Sequence, residues 1–282
     1  MSDIVVVGSM NMDFVFSVER YPQQGETIIG NRFAITPGGK GANQAAAIGK
    51  LGGNVSFVSA RGSDIYGDEL LANLKRSGVN VDKVFRFEDT TTGVAAITVE
   101  RKGENRIIVV PGANNKLSPS AIDQFKDVIS KAQVVLVQLE IPLETVTKTI
   151  EIAHAYQTKV VLDPAPATEL PEEIYQKIDY LLPNEWEISQ LCKRYHLETE
   201  NEKINKLLDL GVGGIVITKG ERGVTYHTKD KIIEQAAIEA EVVDTTGAGD
   251  AFAGGFVVGL HNGWEIGDIK LHADFGRGKR SI

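Results

Sequence analysis

Asp244-Thr245-Thr246-Gly247-Ala248-Gly249-Asp250-Ala251-Phe252-Ala253-Gly254-Gly255-Phe256 runs from a turn of small and polar residues straight into an apolar helical pattern. A helix start exposes unpaired backbone N–H groups and the positive end of the macrodipole, so it favours anions. Gly247, Ala248 and Gly249 carry almost no side chain, and a phosphate can approach their amides closely. Asp250 stands at the junction, within reach of any group that attacks such a phosphate. An anion cradle beside a base is the minimum equipment for phosphoryl transfer to a hydroxyl. The competing reading is a glycine-rich turn before a core helix, with Asp250 as its cap.

Outward from this stretch, short β-branched runs alternate with longer helical patterns. Ile4–Val7, Val55–Ser59, Val134–Gln138, Val160–Leu162, Tyr180–Leu182 and Ile215–Thr218 read as buried strands. Gly41–Leu51, Asp68–Arg76, Ser118–Lys131, Leu143–Tyr156 and Glu185–Tyr195 read as helices, the third opened by a Ser-Pro pair. The expected fold class is α/β, a central, mainly parallel sheet flanked by helices. Phe14–Ser17 with Thr27–Phe33, and Val94–Glu100 with Arg106–Val110, alternate instead like strands with one wet face. They predict a small β-sheet within about residues 12–35 and 92–111, placed as a lid over the carboxyl ends of the main strands. Residues 1–282 are expected to form a single domain.

A net charge of -8 argues against a general nucleic-acid binder. The apolar run at the amino terminus is too short for a signal peptide or a membrane span, so the expected location is cytoplasmic. The single cysteine, Cys192, excludes an intrachain disulfide and reads as a helix-buried thiol. The five histidines are scattered without metal-ligand spacing.

Further polar clusters follow the predicted strands. In Gly8-Ser9-Met10-Asn11-Met12-Asp13, extended backbone projects Asn11 and Asp13 to one side, where an amide and a carboxylate can bind polyol hydroxyls. A strand-end turn held by Asx hydrogen bonds is the alternative. Pro37-Gly38-Gly39-Lys40-Gly41-Ala42-Asn43-Gln44 puts two glycines before a helix, with Lys40 and Asn43 as donors; it is not a Walker A loop. Glu140 ends a very apolar strand, where a carboxylate is costly without a ligand or partner. Asn184 and Glu187 share a helical face and suit the hydration shell of Mg2+, with helix capping as the alternative for Asn184. Thr218, Gly220 and Gly223 lie in a turn that reads either as a plain hairpin or as the wall of a nucleotide groove.

In order and spacing, these segments resemble the ribokinase-like carbohydrate kinase family over roughly residues 3–265. Gly8–Asp13, Pro22–Glu26 and Gly38–Ala45 look like its amino-terminal signature, and Asp244–Asp250 like its carboxy-terminal one. The resemblance implies ATP-dependent phosphorylation of ribose at O5. Asp250 would be the base, and the Gly247, Ala248 and Gly249 amides the anion hole. Asn11, Asp13, Gly38, Gly39, Lys40, Asn43 and Glu140 would line the sugar pocket together with Asp250. Asn184 and Glu187 would position Mg2+ and phosphates, while Thr218, Gly220, Gly223 and Gly249 would meet the nucleotide. Asp244 and Thr246 would hold an activating K+. The lid would pair across a two-fold to give a homodimer, hiding its edges. Deoxyribose, fructose or a nucleoside are alternative substrates, and a non-catalytic sugar-binding descendant is a further reading. Residues 269–282 depart from the family pattern and read as a truncated or frameshifted terminus.

Overall fold

A computed structural model describes residues 2–237 and 247–266. The chain opens with β1 (Ile4–Val7), β2 (Asn11–Val18), β3 (Arg32–Gly38), α1 (Lys40–Lys50), β4 (Val55–Gly62) and α2 (Ile65–Arg76). It continues through β5 (Asn80–Phe87), β6 (Gly93–Glu100), β7 (Asn105–Val110), α3 (Pro119–Asp123), α4 (Lys126–Ser130), β8 (Val134–Val137) and α5 (Leu143–Ala155). Next come β9 (Lys159–Leu162), α6 (Glu172–Tyr175), β10 (Tyr180–Leu181), α7 (Glu185–Leu191) and α8 (Glu200–Asp209). The last elements are β11 (Gly214–Thr218), β12 (Val224–His227), β13 (Ile232–Gln235) and α9 (Ala248–His261).

The main sheet has the order β13-β12-β11-β10-β9-β8-β1-β4-β5. It is parallel from β5 to β11, and β12 and β13 close one edge antiparallel. Its central strands read as unbroken apolar runs because helices cover both faces. Val5, Val7, Val135, Val137, Val160 and Leu162 pack with Ile122, Ile150, Ile188 and Leu207 on one side. Ile4, Val6, Val134, Leu136 and Val161 pack with Ala45, Ile48, Leu70, Phe256 and Val257 on the other. Strand order reverses between β8 and β1, and a crevice opens beyond the carboxyl ends of strands at such a point. The chain just after β1, β8 and β9 therefore supplies its floor.

The expected small sheet is present with the order β3-β2-β6-β7. Its outer pairs are antiparallel, while β2 and β6 run parallel. One boundary differs from expectation. The partner of β2 is Arg32–Gly38 rather than Thr27–Phe33, in a register that sets Gly38 opposite Asn11. Alternation of Phe33, Ala34, Ile35 and Thr36 suits a sheet, whereas Ile29 is left almost fully exposed. Phe14 packs edge-on against Tyr66 at 5.3 Å and so fastens the lid to α2.

Two predicted helices are shorter than expected. Ser118–Lys131 breaks into α3 and α4 at Phe125, which leaves helical geometry and packs on Phe85 at 4.9 Å. Glu185–Tyr195 ends at Leu191, followed by one 3-10 turn that closes on left-handed His196. Cys192 caps α7 and is buried; burial pushes its thiol up to about 11, as befits an inert core position.

Candidate active site

Asp250 is the third residue of α9, after Gly247 in the left-handed conformation, and is 5% exposed. Among the described residues no side chain caps this helix start, so its first amides have no side-chain acceptor. A Cβ on Gly249 would meet nothing within 4 Å, so there is open room beside that residue.

The carboxylate is held from α1. Asn43 Nδ2 donates to Oδ2 at 2.9 Å, Gln44 Nε2 donates to Oδ1 at 3.2 Å, and Lys40 Nζ lies 4.0 Å from Oδ1. These three donors fall at i, i+3 and i+4 and so share one helical face. That face reaches the sheet because Gly41 sits against the backbone of Gly8 and Ser9, where a Cβ would come within 2.7 Å. Burial raises the Asp250 carboxyl above its ordinary range, against the opposing pull of Lys40, Asn43 and Gln44.

Glu140 satisfies the expectation of a partner. Its Oε2 accepts from Ser9 Oγ at 2.5 Å and from the Lys40 amide at 3.1 Å, which joins the ends of β1 and β8 to the start of α1. Asn11 is buried, and its Oδ1 accepts from Asn114 Nδ2 at 2.8 Å. The Asp13 carboxylate lies against Gly38, where an added Cβ would come 2.1 Å from Oδ2. Gly39, at φ 87°, turns the chain into α1. Asn11, Asp13 and Gly38 thus belong to the small sheet itself, and Gly39 lies against Met10 and Asn11, beside Lys40 and Asn43 at the start of α1 and Glu140 after β8.

Asn184 and Glu187 form a reciprocal capping box, each side chain accepting from the other's backbone N–H at 2.8 and 2.7 Å. Capping is thus a structural role they both hold. Asn184 also bridges Thr218, since β10 and β11 end side by side. Gly220 and Gly223 occupy the β11–β12 turn, tied to α7 through the Arg222–Glu185 ion pair. Glu187 also acts electrostatically on Lys40 and Asp163. Asp244 and Thr246 lie outside the described residues. Among the described residues no group of three or more acidic, histidine or cysteine side chains forms a metal cage. Mg2+ bound mainly through water and substrate phosphates does not require one.

Sequence reasoning missed Asp163, Gln44, Gln138 and Asn114. Asp163 follows β9 as Glu140 follows β8, and that parallel was the available signal. It accepts from Gln44 Nε2 at 2.7 Å. Burial pushes its carboxyl up to about 7, with Lys40 opposing and Asp250 and Glu187 reinforcing. Burial also works to lower Lys40, but Asp163, Asp250, Glu140 and Glu187 outweigh it and hold the ammonium above its usual range.

Comparison with known proteins identifies the family. Residues 1–270 match the description "pfkB family carbohydrate kinase". A ribokinase of Lactococcus lactis is 39% identical over 269 residues, covering 95% of this chain and 87% of the relative. A deoxyribokinase of Salmonella typhi is 37% identical over 272 residues, covering 95% and 88%. The structure of Arabidopsis thaliana ribokinase complexed with ribose and ATP superposes with a TM-score of 0.89 at 35% identity, covering 96% and 90%. The Thermotoga maritima ribokinase structure gives 0.88 at 37% identity, covering 98% and 91%. A family match over residues 1–270 and relatives 37–39% identical over nearly the whole of this sequence agree, and the chain belongs to the pfkB family of carbohydrate kinases.

Proposed function

We propose that this chain transfers the γ-phosphoryl group of ATP to O5 of D-ribose. The observation that carries the reading is the buried Asp250 carboxylate at the uncapped start of α9. The O5 oxygen attacks the γ-phosphorus, the bond to the ADP oxygen breaks, and the hydroxyl proton passes to Asp250. Proton transfer falls late in a loose transition state, and a carboxyl raised by burial is the better acceptor at that moment. The Gly247, Ala248 and Gly249 amides meet charge growing on the phosphoryl oxygens; losing one such donor costs about 3–4 kcal/mol of barrier. Lys40, protonated and beside Asp250, adds a cation to the same space.

Asn11, Asp13, Gly38, Gly39, Asn43 and Glu140 hold the sugar hydroxyls in this reading. Asn184 and Glu187 face Mg2+ and the phosphates through water, while Thr218, Gly220 and Gly223 border the nucleotide. Bound Mg2+ would supply charge neutralisation on the phosphates, and Asp244 and Thr246 would hold an activating K+. The two copies of a homodimer meet through the lid, and the enzyme works in the cytoplasm. No helix among the described residues is long and apolar enough to cross a membrane.

The 37% identity to deoxyribokinase supports a second substrate, 2-deoxyribose. ADP release with ribose, deoxyribose, fructose and nucleosides ranks them, with and without K+. A preference for anything but ribose overturns the choice of sugar. Asp250→Asn is expected to lower kcat about 10²- to 10⁴-fold and to leave ribose binding in place; undiminished turnover removes Asp250 from the mechanism.

A further inference from the structure

We propose that Gln44 is a positioning residue for Asp250, clamping its carboxylate from α1 and coupling it to Asp163 across one amide. The inference rests on the phosphotransfer reading above. Gln44 is wholly buried, as is Gln138, and Asp163 is nearly so. Gln44 Nε2 carries two hydrogens; it donates to Asp163 Oδ2 at 2.7 Å and to Asp250 Oδ1 at 3.2 Å. Its own Oε1 accepts from Gln138 Nε2 at 2.6 Å. The amide therefore has one tolerable orientation, because a flipped Gln44 would aim its oxygen at two carboxylates and its NH2 at a donor.

With Asn43 on Oδ2 and Gln44 on Oδ1, each oxygen of Asp250 has a donor from a single rigid helix. This fixes the plane of the carboxylate, and a base must present its lone pair in a set direction toward the hydroxyl it deprotonates. Lys40, at 4.0 Å, is too distant for that task. The charged groups around Asp250 come from four places: Lys40 on α1, Glu140 after β8, Asp163 after β9 and Glu187 on α7. Gln44 is the neutral spacer that lets two acidic side chains share this buried corner. Without it the two would lose the one donor they share, and only Lys40 would act on both.

The test uses the full chain, with ADP release measured against pH for wild type, Gln44→Leu and Asp163→Asn. Gln44→Leu is expected to lower kcat about 10- to 100-fold while KM for ribose stays within about threefold. It should also move the acid limb of kcat upward by about one pH unit, because a donor to the ionised form is lost. Asp163→Asn keeps an acceptor for Gln44 and, because Asp163 is largely neutral below about pH 7, should leave the acid limb nearly in place. A merely structural role of Gln44 would lower melting temperature and activity together and leave the acid limb of Gln44→Leu in place. Wild-type kcat in Gln44→Leu, or an acid limb unmoved in that variant, overturns the inference. If Gln44→Leu fails to fold, Gln44→Met, close to glutamine in shape and without the amide, decides by the same limb. Absence of turnover in the wild type with every sugar defeats the phosphotransfer reading, and this one with it.

Discussion

Gly38→Ala tests the sugar pocket without altering any side chain that would touch the sugar. A Cβ at this position would lie 2.1, 2.4 and 2.6 Å from Oδ2, Cγ and Oδ1 of Asp13, against an ordinary contact of 3.4 Å or more. The backbone at Gly38 is strand-like and accepts alanine, so the strain falls on the end of one flexible side chain. The carboxylate must retreat by roughly 1 Å or more, beyond hydrogen-bond reach of the sugar hydroxyl it would meet in the proposed reading. A hydrogen bond to a charged group is worth about 1.5–3 kcal/mol, which predicts a rise in ribose KM of roughly 10- to 150-fold. Melting temperature should stay within about 3 °C of wild type, because no core contact is lost. A coupled assay for ADP, run across ribose concentrations, gives KM and kcat together. An unchanged KM would mean that Asp13 does not hold the sugar. A large fall in melting temperature would mean that Asp13 and Gly38 serve the lid's fold instead.

Gly41→Ala should act in the opposite way. Its Cβ would meet backbone of Gly8 and Ser9 at 2.7 Å, so about 1–3 kcal/mol of stability should go, read by denaturant titration; a stable variant would refute the close packing of α1 on β1. Asp163 titrates near 7 in the fold against an ordinary 3.8, so its contribution is complete below pH 3.8 and lost as pH climbs through about 7. The melting temperature of Asp163→Asn relative to wild type should accordingly climb across that window, and a constant gap would contradict the shift. Ile107, Ile108, Val109 and Val110 leave apolar surface exposed on β7. Light scattering should find a dimer that Ile108→Lys dissociates, and a wild-type monomer would refute pairing through the lid.

Period-two and period-3.6 patterning located the main strands and most helices, because buried strands such as Val134–Val137 must be apolar throughout. The polar residues at their ends stood out for the same reason, and so Asn11, Glu140 and Asp250 could be read as site candidates. What escaped was set by partners far away in sequence. Arg32–Gly38 pairs where it does because Gly38 must lie opposite Asn11, and nothing local to Thr27–Phe33 reveals that register. Gln44 stands with Lys40 and Asn43 in the sequence but receives no role there; its meaning depends on Gln138, Asp163 and Asp250, each on a different part of the chain. The Asn184–Glu187 pair was recognised, but its capping box shows that one spacing can serve a helix end as well as a ligand.

The bond between Asn43 and Asp250 spans 207 positions. During synthesis Asn43 therefore emerges long before the carboxylate it holds, and chemistry must wait until α9 has been translated. Expressed as two separate fragments, divided between α1 and α9, neither portion alone should carry turnover. Mixing them would restore it only if the two helices find each other, which makes the pair a natural place to split the enzyme into a reporter of association.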